Sequence, residues 1–144
     1  MKISGSYVLG VPQEQAYKMM QDPEVLARAM PGCEDLEKIA ENEYRMKMKM
    51  VLASLSGVFE GKVRIADQNP PSSFRLIVEG SGRPGFIKGN GLLNLSPSAT
   101  GTDVSYDGDL QVGGTIAAVG QRLLDGTAKI LIKKFFDKLT ANAR

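Results

Sequence analysis

Alternation between apolar and polar residues is the strongest pattern in the middle of the chain. In residues 44–50 every second side chain is apolar, and the side chains between them are cations. Such a period of two places successive side chains on opposite faces of a β-strand. The same period recurs in residues 59–65, 74–79, 87–95 and 103–112. Together with strands at about residues 2–10 and 35–40, these segments predict seven antiparallel strands with one apolar face and one charged, wet face.

Proline and glycine positions predict two short helices after the first strand. Pro12 suits the first turn of a helix at residues 14–21. The Asp22-Pro23 pair that follows has the N-cap and first-position pattern of a second helix. That helix reaches about residue 29, because the Pro31-Gly32 pair ends it.

The end of the chain predicts one long helix. Residues 115–142 follow the Gly113-Gly114 break, contain no proline and carry apolar residues throughout. A helix that follows an antiparallel sheet buries its apolar side by lying across that sheet. The sequence therefore predicts an α+β fold, in which a curved antiparallel seven-stranded sheet wraps around a long C-terminal helix and two short helices follow strand 1. We expect residues 1–144 to form a single domain, since no linker or internal repeat divides them.

A sheet that curls around a helix tends to leave a space between the two, and apolar walls suit a lipophilic guest. A container for a lipophilic ligand is therefore the first functional hypothesis. Gly61, Gly89, Gly91 and Gly108 fall on the apolar face, where they predict a strongly bent sheet, room for a ligand, or both. The many methionines indicate walls that adapt to irregular guests.

The predicted lining combines inward-facing strand residues, the short helices and the start of the final helix. Tyr44 and Tyr106 add hydroxyls that can hydrogen-bond a ligand carbonyl or simply meet a backbone group. We expect Gly82, Arg83 and Phe86, in a glycine-rich loop, to form a gate. The full predicted lining is Met20, Leu26, Met30, Tyr44, Met46, Met48, Met50, Phe59, Val63, Phe74, Leu76, Phe86, Ile87, Leu93, Tyr106, Leu110, Ile116, Val119 and Leu123.

Residue types that catalysis needs are scarce. The chain has no histidine, so it can form neither a histidine-based triad nor an imidazole metal site. Its single cysteine, Cys33, stands beside Glu34 and Asp35, whose charges raise a thiol pKa and discourage a thiolate. We predict no catalytic residue, no metal and no tightly bound cofactor, although a buried Asp, Glu or Tyr leaves acid–base chemistry open.

A glycine motif at residues 80–85 has the spacing GxGxxG of a dinucleotide-binding loop. That loop works only where a helix N-terminus follows and holds the pyrophosphate. Here Pro84 interrupts the motif and a strand pattern follows, so a hairpin loop is the better interpretation.

Composition narrows the partners and the compartment. A net charge of +2 and the absence of tryptophan give no support for binding nucleic acid. No apolar run approaches the roughly 20 residues of a membrane span, and no signal-peptide pattern opens the chain. With a lone cysteine, we expect a cytoplasmic protein. Basic stripes on the outer sheet face and late in the final helix serve solubility, or else meet an anionic partner or acidic lipid headgroups.

Short motifs, taken in their order along the chain, resemble one known family. The chain is similar to the helix-grip fold of the START-like (SRPBCC) superfamily, which includes lipid-transfer domains, Bet v 1-type plant proteins and polyketide cyclases. Within it, the chain resembles the CoxG family of carbon monoxide dehydrogenase subunits over nearly its whole length. The motifs are Met1-Lys2-Ile3-Ser4-Gly5, Asp22-Pro23-Glu24-Val25-Leu26, Met30-Pro31-Gly32-Cys33-Glu34, Phe59-Glu60-Gly61-Lys62-Val63, Asn69-Pro70-Pro71, Gly101-Thr102-Asp103-Val104-Ser105-Tyr106 and Gly120-Gln121-Arg122-Leu123.

The resemblance implies a closed apolar cavity and a role as an accessory protein of a molybdenum hydroxylase of the carbon monoxide dehydrogenase type. It also implies membrane association of the partner enzyme and, in some members, quinone binding. Members that attach to membranes often carry a C-terminal extension. This chain ends at Arg144, so we expect at most a peripheral, transient contact with the inner face of the membrane.

Three functional hypotheses follow. The leading one is a non-catalytic protein that binds a quinone or another isoprenoid lipid and carries it for such an enzyme. The alternative is a polyketide cyclase-like enzyme that uses the same cavity. The third is a scaffold whose cavity is filled by its own side chains.

Overall fold

The computed structural model of the protein describes residues 1–52 and 55–142. Residues 53, 54, 143 and 144 of the predicted domain lie outside the described residues. In chain order the elements are β1 (Lys2–Leu9), α1 (Gln13–Met19), α2 (Pro23–Ala29), β2 (Cys33–Ala40), β3 (Glu43–Leu52), β4 (Leu55–Asn69), β5 (Ser73–Gly82), β6 (Gly85–Ser98), β7 (Gly101–Gly113), a 3₁₀ helix (Thr115–Val119) and α3 (Gln121–Asn142).

The seven strands form one antiparallel sheet in the order β1-β7-β6-β5-β4-β3-β2. Strands β2 to β7 pair with their neighbours in sequence, while β1 joins β7, from Lys2 opposite Asp109 to Leu9 opposite Thr102. In β3 and β4 the inward side chains are buried or half-buried and the cations between them are exposed. The alternation read from the sequence is confirmed, and so is the α+β arrangement of sheet and helices.

Local chemistry explains where the short helices begin. The Asp22 carboxylate accepts a hydrogen bond from the Glu24 amide at 2.9 Å, so the predicted N-cap of α2 is confirmed. Helix α1 ends at Met19, two residues before the predicted end. It is held to the sheet by the Tyr17 hydroxyl, which donates to the Ser73 carbonyl at 2.9 Å.

The predicted single helix over residues 115–142 is divided in two. Gly120 has a φ of 100°, which an α-helix cannot contain and which glycine adopts without a Cβ penalty. On the N-terminal side of Gly120, the 3₁₀ helix is hydrogen-bonded to the β5–β6 hairpin at the Pro84 carbonyl. That oxygen accepts from the Ile116 amide at 2.9 Å and from the Thr115 hydroxyl at 2.8 Å. After it, α3 lies across the inner face of the sheet and packs against α2 and β1.

Two clusters of buried side chains form the core. The larger one lies where α1 and the end of α3 meet the sheet and includes Leu9, Phe74 and Leu139. The smaller one joins Met50 and Phe59 to Ile116 of the 3₁₀ helix. Leu93 belongs to the first cluster and Ile87 packs against the second, and both also line a cavity that lies between them.

Candidate functional site

A cavity of about 320 Å³ lies between the inner face of the sheet, α2 and α3. Its volume is within the range of small-molecule sites, roughly 300–1,000 Å³. Its wall is almost entirely apolar. Among the described residues that line it, none carries a carboxylate, an imidazole or a thiol.

The structure brings many of the predicted lining residues to this wall. Helix α2 and its end contribute Leu26, Met30 and Pro31, and β7 contributes Tyr106. The residues that were predicted from the sequence and lie on the wall are Leu26, Met30, Met48, Val63, Leu76, Ile87, Leu93, Tyr106 and Leu110.

Other predicted lining residues lie elsewhere, because strand parity decides which face a side chain takes but not what it meets there. Met20, Tyr44 and Phe74 are buried in the larger core cluster. Met50, Phe59 and Ile116 form the smaller one, and Met46 is 5% exposed without lining the cavity. For the six residues that belong to these clusters, neighbouring side chains fill the space in front of the residue.

Three further predicted residues are exposed and were assigned to the wrong surface. Phe86 has the parity of Lys88, whose ammonium lies 5.8 Å from the centre of the Phe86 ring on the outer face of β6. Val119 and Leu123 stand at 38% and 47% exposure. Leu123 lies off the face of α3 that Leu124, Ala128, Leu131 and Phe135 turn to the cavity. Val119 belongs to the 3₁₀ helix that ends before Gly120.

Sequence reasoning missed the main helical wall. Leu124, Ala128, Leu131 and Phe135 of α3 face the cavity at spacings of three and four residues. This is the pattern of one helix face, so the phase of α3 could have identified them. Met1 and Ile3 of the edge strand were also missed; they line the cavity because β1 pairs with β7 rather than with its neighbours in sequence.

Three of the four inward glycines, Gly61, Gly91 and Gly108, divide into two kinds. A Cβ at Gly61 or Gly108 would overlap the backbone of the adjacent strand, at Glu79 and Asn90 respectively, so these glycines permit close strand approach in a bent sheet. A Cβ at Gly91 would have the Asp107 carbonyl oxygen, at 3.8 Å, as its nearest heavy atom. Gly91 lines the cavity and leaves part of it open.

The predicted gate residues do not line the cavity. Gly82 pairs with Gly85 at the end of the β5–β6 hairpin, and a side chain on Gly82 would overlap the Val58 carbonyl of β4. Arg83 is exposed at the hairpin tip, and Phe86 lies on the outer face. The hairpin is also held to the 3₁₀ helix by hydrogen bonds at the Pro84 carbonyl, so its position in the fold is fixed by those bonds.

Aromatic residues form one end of the cavity. Tyr106 of β7 lines it, and Phe136 of α3 packs against both Tyr106 and Tyr7 of β1. Ring centroids are 4.3 Å apart for Tyr7 and Phe136 and 6.1 Å apart for Tyr106 and Phe136, with the planes nearly parallel. Burial, followed by the neighbouring Tyr7, raises the pKa of Tyr106 above its usual value, so this phenol stays protonated at neutral pH.

Cys33 and the carboxylates in the described part of the chain offer no metal site. Burial is the main cause that raises the pKa of the Cys33 thiol, with a smaller contribution from the charge of Asp35, and Cys33 does not line the cavity. Within residues 1–52 and 55–142, no three His, Cys, Asp or Glu side chains come together in a way that can hold a metal ion. The expectation of no tightly bound cofactor stays a prediction.

Comparison with known proteins places the chain in a family. Residues 5–144 match the CoxG family, whose members are described as a carbon monoxide dehydrogenase subunit. The chain belongs to this family. No curated protein matches it. Among the helices of the CoxG domain that the structure describes, none combines the length and apolar character of a membrane span.

Solved structures share the fold of this CoxG-family chain. A conserved protein from Geobacillus kaustophilus is 33% identical, with a TM-score of 0.96 over 99% of this chain and 95% of that chain. A protein from Chromobacterium violaceum is 18% identical, with a TM-score of 0.73 over 99% of this chain and 96% of that one. Ara h 8.0201 is 10% identical, with a TM-score of 0.72 over 99% of this chain and 97% of that chain. The last two similarities concern the fold alone, and they confirm the predicted helix-grip, Bet v 1-like arrangement.

Proposed function

We propose that this CoxG-family protein is a non-catalytic carrier of a lipophilic small molecule, held in the cavity between the sheet and α3. The observation that supports this most directly is the cavity of about 320 Å³ with an almost entirely apolar wall. Gly91 leaves part of that wall without side chains, so the protein's own residues do not fill it. This favours a carrier over a scaffold with a filled cavity.

The chemistry of the wall favours binding over catalysis. General acid–base catalysis needs groups that exchange protons near the working pH. Tyr106 lines the wall, but its pKa is raised above the usual value of a phenol, and the described lining residues carry no carboxylate or imidazole. The described lining residues therefore offer a polyketide cyclase-like enzyme few groups for acid–base catalysis.

The ligand that we propose is a quinone or another isoprenoid lipid. A ring with a short tail suits the cavity volume and its apolar wall, and Met30 and Met48 supply adaptable side chains at that wall. The family description names carbon monoxide dehydrogenase, which supports a partner enzyme of that type. We propose that the protein serves a molybdenum hydroxylase as its accessory.

Ligand exchange at a membrane surface belongs to the same proposal. The exposed side of α3 carries Arg122, Lys129 and Lys134 beside exposed Leu123 and Ile130. Cations next to apolar side chains are the combination that anionic lipid surfaces attract.

The test is direct binding. The purified protein is examined by native mass spectrometry, and its chloroform–methanol extract is analysed for co-purified quinones and lipids. It is also titrated with decylbenzoquinone, with displacement of Nile red fluorescence as the readout. We expect saturable binding of one molecule per chain. A protein that carries no lipophilic molecule and binds neither Nile red nor decylbenzoquinone would refute the carrier function.

A further inference from the structure

A groove lies on the outside of the molecule, where the 3₁₀ helix meets the start of α3. The turn at Gly120, with a φ of 100°, sets the end of the 3₁₀ helix beside the first turns of α3. The groove between them has a volume of about 560 Å³, and its exposed lining is mainly apolar. It is separate from the contacts that form the two core clusters.

Three large apolar side chains stand exposed in this groove. Val119 is 38% exposed, Leu123 47% and Ile130 49%. Leu123, Gly126 and Ile130 are three and four residues apart, so they form one stripe along α3. A Cβ on Gly126 would have no heavy atom of the described residues within 4 Å, so the space in front of it is open. Exposed apolar side chains that gather in one groove indicate a binding surface.

The groove begins where the wall of the cavity ends. Thr127 belongs to both, since it lines the cavity and the groove. Leu124 and Ala128 beside it face the cavity, while Leu123 and Ile130 line the groove. The Thr127 hydroxyl donates to the Leu123 carbonyl at 2.9 Å, so an apolar chain that crosses Thr127 leaves that hydroxyl with a partner. A single residue therefore connects the two apolar surfaces.

The charges of the groove favour a neutral occupant. Arg122 is the one ionisable residue among the described residues that line it. Lys129, another cation on this part of α3, is paired with Asp125 at 3.1 Å. An acidic peptide or a phosphate group would meet a single cation in the groove. A hydrocarbon chain needs only apolar surface, which the groove provides.

The size of the cavity leaves part of a long ligand outside it. Small-molecule sites span roughly 300–1,000 Å³, and the cavity, with about 320 Å³, is at the lower end of that range. It suits the ring and short tail of the proposed ligand. Further isoprene units have to lie outside the cavity, and they add affinity only where they find apolar surface to cover.

We propose that the groove is a tail subsite, which binds the isoprene units that extend past Thr127 from a neutral lipid whose ring lies in the cavity. This inference rests on the proposed carrier function. It adds where the ligand leaves the cavity and which residues, Leu123 and Ile130 above all, recognise the length of its tail. It predicts that affinity rises with tail length beyond what the cavity alone can hold.

The experiment compares two quinones that share a ring and differ in their tails: prenylbenzoquinone, with one isoprene unit, and farnesylbenzoquinone, with three. Binding to the purified protein is measured by equilibrium dialysis without lipid or detergent. Burial of one CH₂ group changes affinity about fourfold. Because the groove covers the added units only in part, we expect the wild type to bind farnesylbenzoquinone at least about tenfold more tightly than prenylbenzoquinone.

The double variant Leu123→Gln/Ile130→Gln removes the apolar stripe without adding charge. The ratio of the two affinities should fall to about threefold or less, because the added isoprene units lose the surface that they cover. The affinity for prenylbenzoquinone should stay within about twofold of the wild type, since neither residue lines the cavity. Both side chains are exposed, so Tm should change little.

The matched control is Val8→Gln/Val58→Gln. These two side chains are 49% and 42% exposed, in β1 and β4, and they line neither the groove nor the cavity. The control should keep the wild-type ratio.

The outcomes separate the tail subsite from the carrier function. If both quinones bind and the groove variant keeps the wild-type ratio, the tail subsite is wrong while the carrier function stands. If the groove variant keeps that ratio but no longer binds phosphatidylglycerol vesicles that the wild type binds, the groove contacts a membrane surface and the tail subsite is overturned. If neither quinone binds the wild type, the carrier function fails and the tail subsite with it.

Discussion

Gly91 of β6 and Gly108 of β7 are cross-strand partners with opposite surroundings. A Cβ on Gly108 would overlap the Asn90 carbonyl, whereas a Cβ on Gly91 would be 3.8 Å from its nearest neighbour, the Asp107 carbonyl oxygen. Both positions face the inner side of the sheet. One glycine therefore lets two strands approach closely, and the other leaves the cavity open.

Filling the cavity at Gly91 should abolish binding without harming the fold. Gly91→Leu directs an apolar side chain into open space, where its burial stabilises the protein by up to about 1.5–3 kcal/mol. We expect a loss of decylbenzoquinone binding of tenfold or more and an unchanged or higher Tm. Gly10→Leu is the control, since Gly10 is exposed with no neighbour within 4 Å of a Cβ. Equal affinities of Gly91→Leu and wild type would place the ligand outside this cavity.

Gly108→Ala should destabilise the sheet although it adds a single methyl group. The overlap with the Asn90 carbonyl can be relieved only by moving backbone, which costs about 1–3 kcal/mol in free energy of unfolding. Gly91→Ala has no such overlap and should be neutral or slightly stabilising. Urea unfolding of the two variants measures the difference. Equal free energies of unfolding for Gly108→Ala and Gly91→Ala would mean that the close approach of β6 and β7 at Gly108 is not required.

Thr102→Val should destabilise the region where β7 meets the segment after β1. Thr102 is fully buried, and its hydroxyl donates to the Val11 carbonyl at 2.7 Å. Valine keeps the shape but leaves a buried carbonyl without this donor, at a cost of about 1–3 kcal/mol. Thr115→Val is the control, because that hydroxyl is exposed and Pro84 keeps its bond from the Ile116 amide. A smaller loss for Thr102→Val than for Thr115→Val in thermal unfolding would contradict this assignment.

Cys33 should react slowly with iodoacetamide in the folded protein. Its pKa is raised, chiefly by burial, so at any given pH below that pKa the reactive thiolate is a smaller fraction than in an unfolded chain. The rate measured against pH should therefore reach half its maximum at a higher pH in native protein than in urea-unfolded protein. A curve shifted the other way would show that the thiolate is stabilised and reopen a reactive role.

The sequence shows which side chains of a strand face inward, but it does not show which of those inward side chains line the cavity. Met46 and Met48 share the inner face of β3, as the alternation predicted, yet Met48 lines the cavity and Met46 is buried apart from it. Alternation depends on bond geometry within one strand. What an inward side chain meets depends on how far α3 lies from that point of the sheet.

Two wrong assignments had local signals that were available. Phe86 shares the parity of Lys88, so its outward position follows from the period of two. Gly120 interrupts a helical pattern, and the structure divides the helix there. A glycine within a helical segment is a known point of termination.

The sequence by itself determined the strands and their faces, the Asp22 cap of α2, the glycine-bounded final segment and the family resemblance. Each of these features depends on residues that are close in sequence within one element, or on motifs in a fixed order along the chain. Only the tertiary structure decided that Gly91 opens space while Gly108 closes a strand contact, and that the ring of Tyr7 stacks near that of Tyr106. The meeting of the two tyrosines depends on the pairing of β1 with β7, which are the first and last strands of the chain and meet only when the fold is complete.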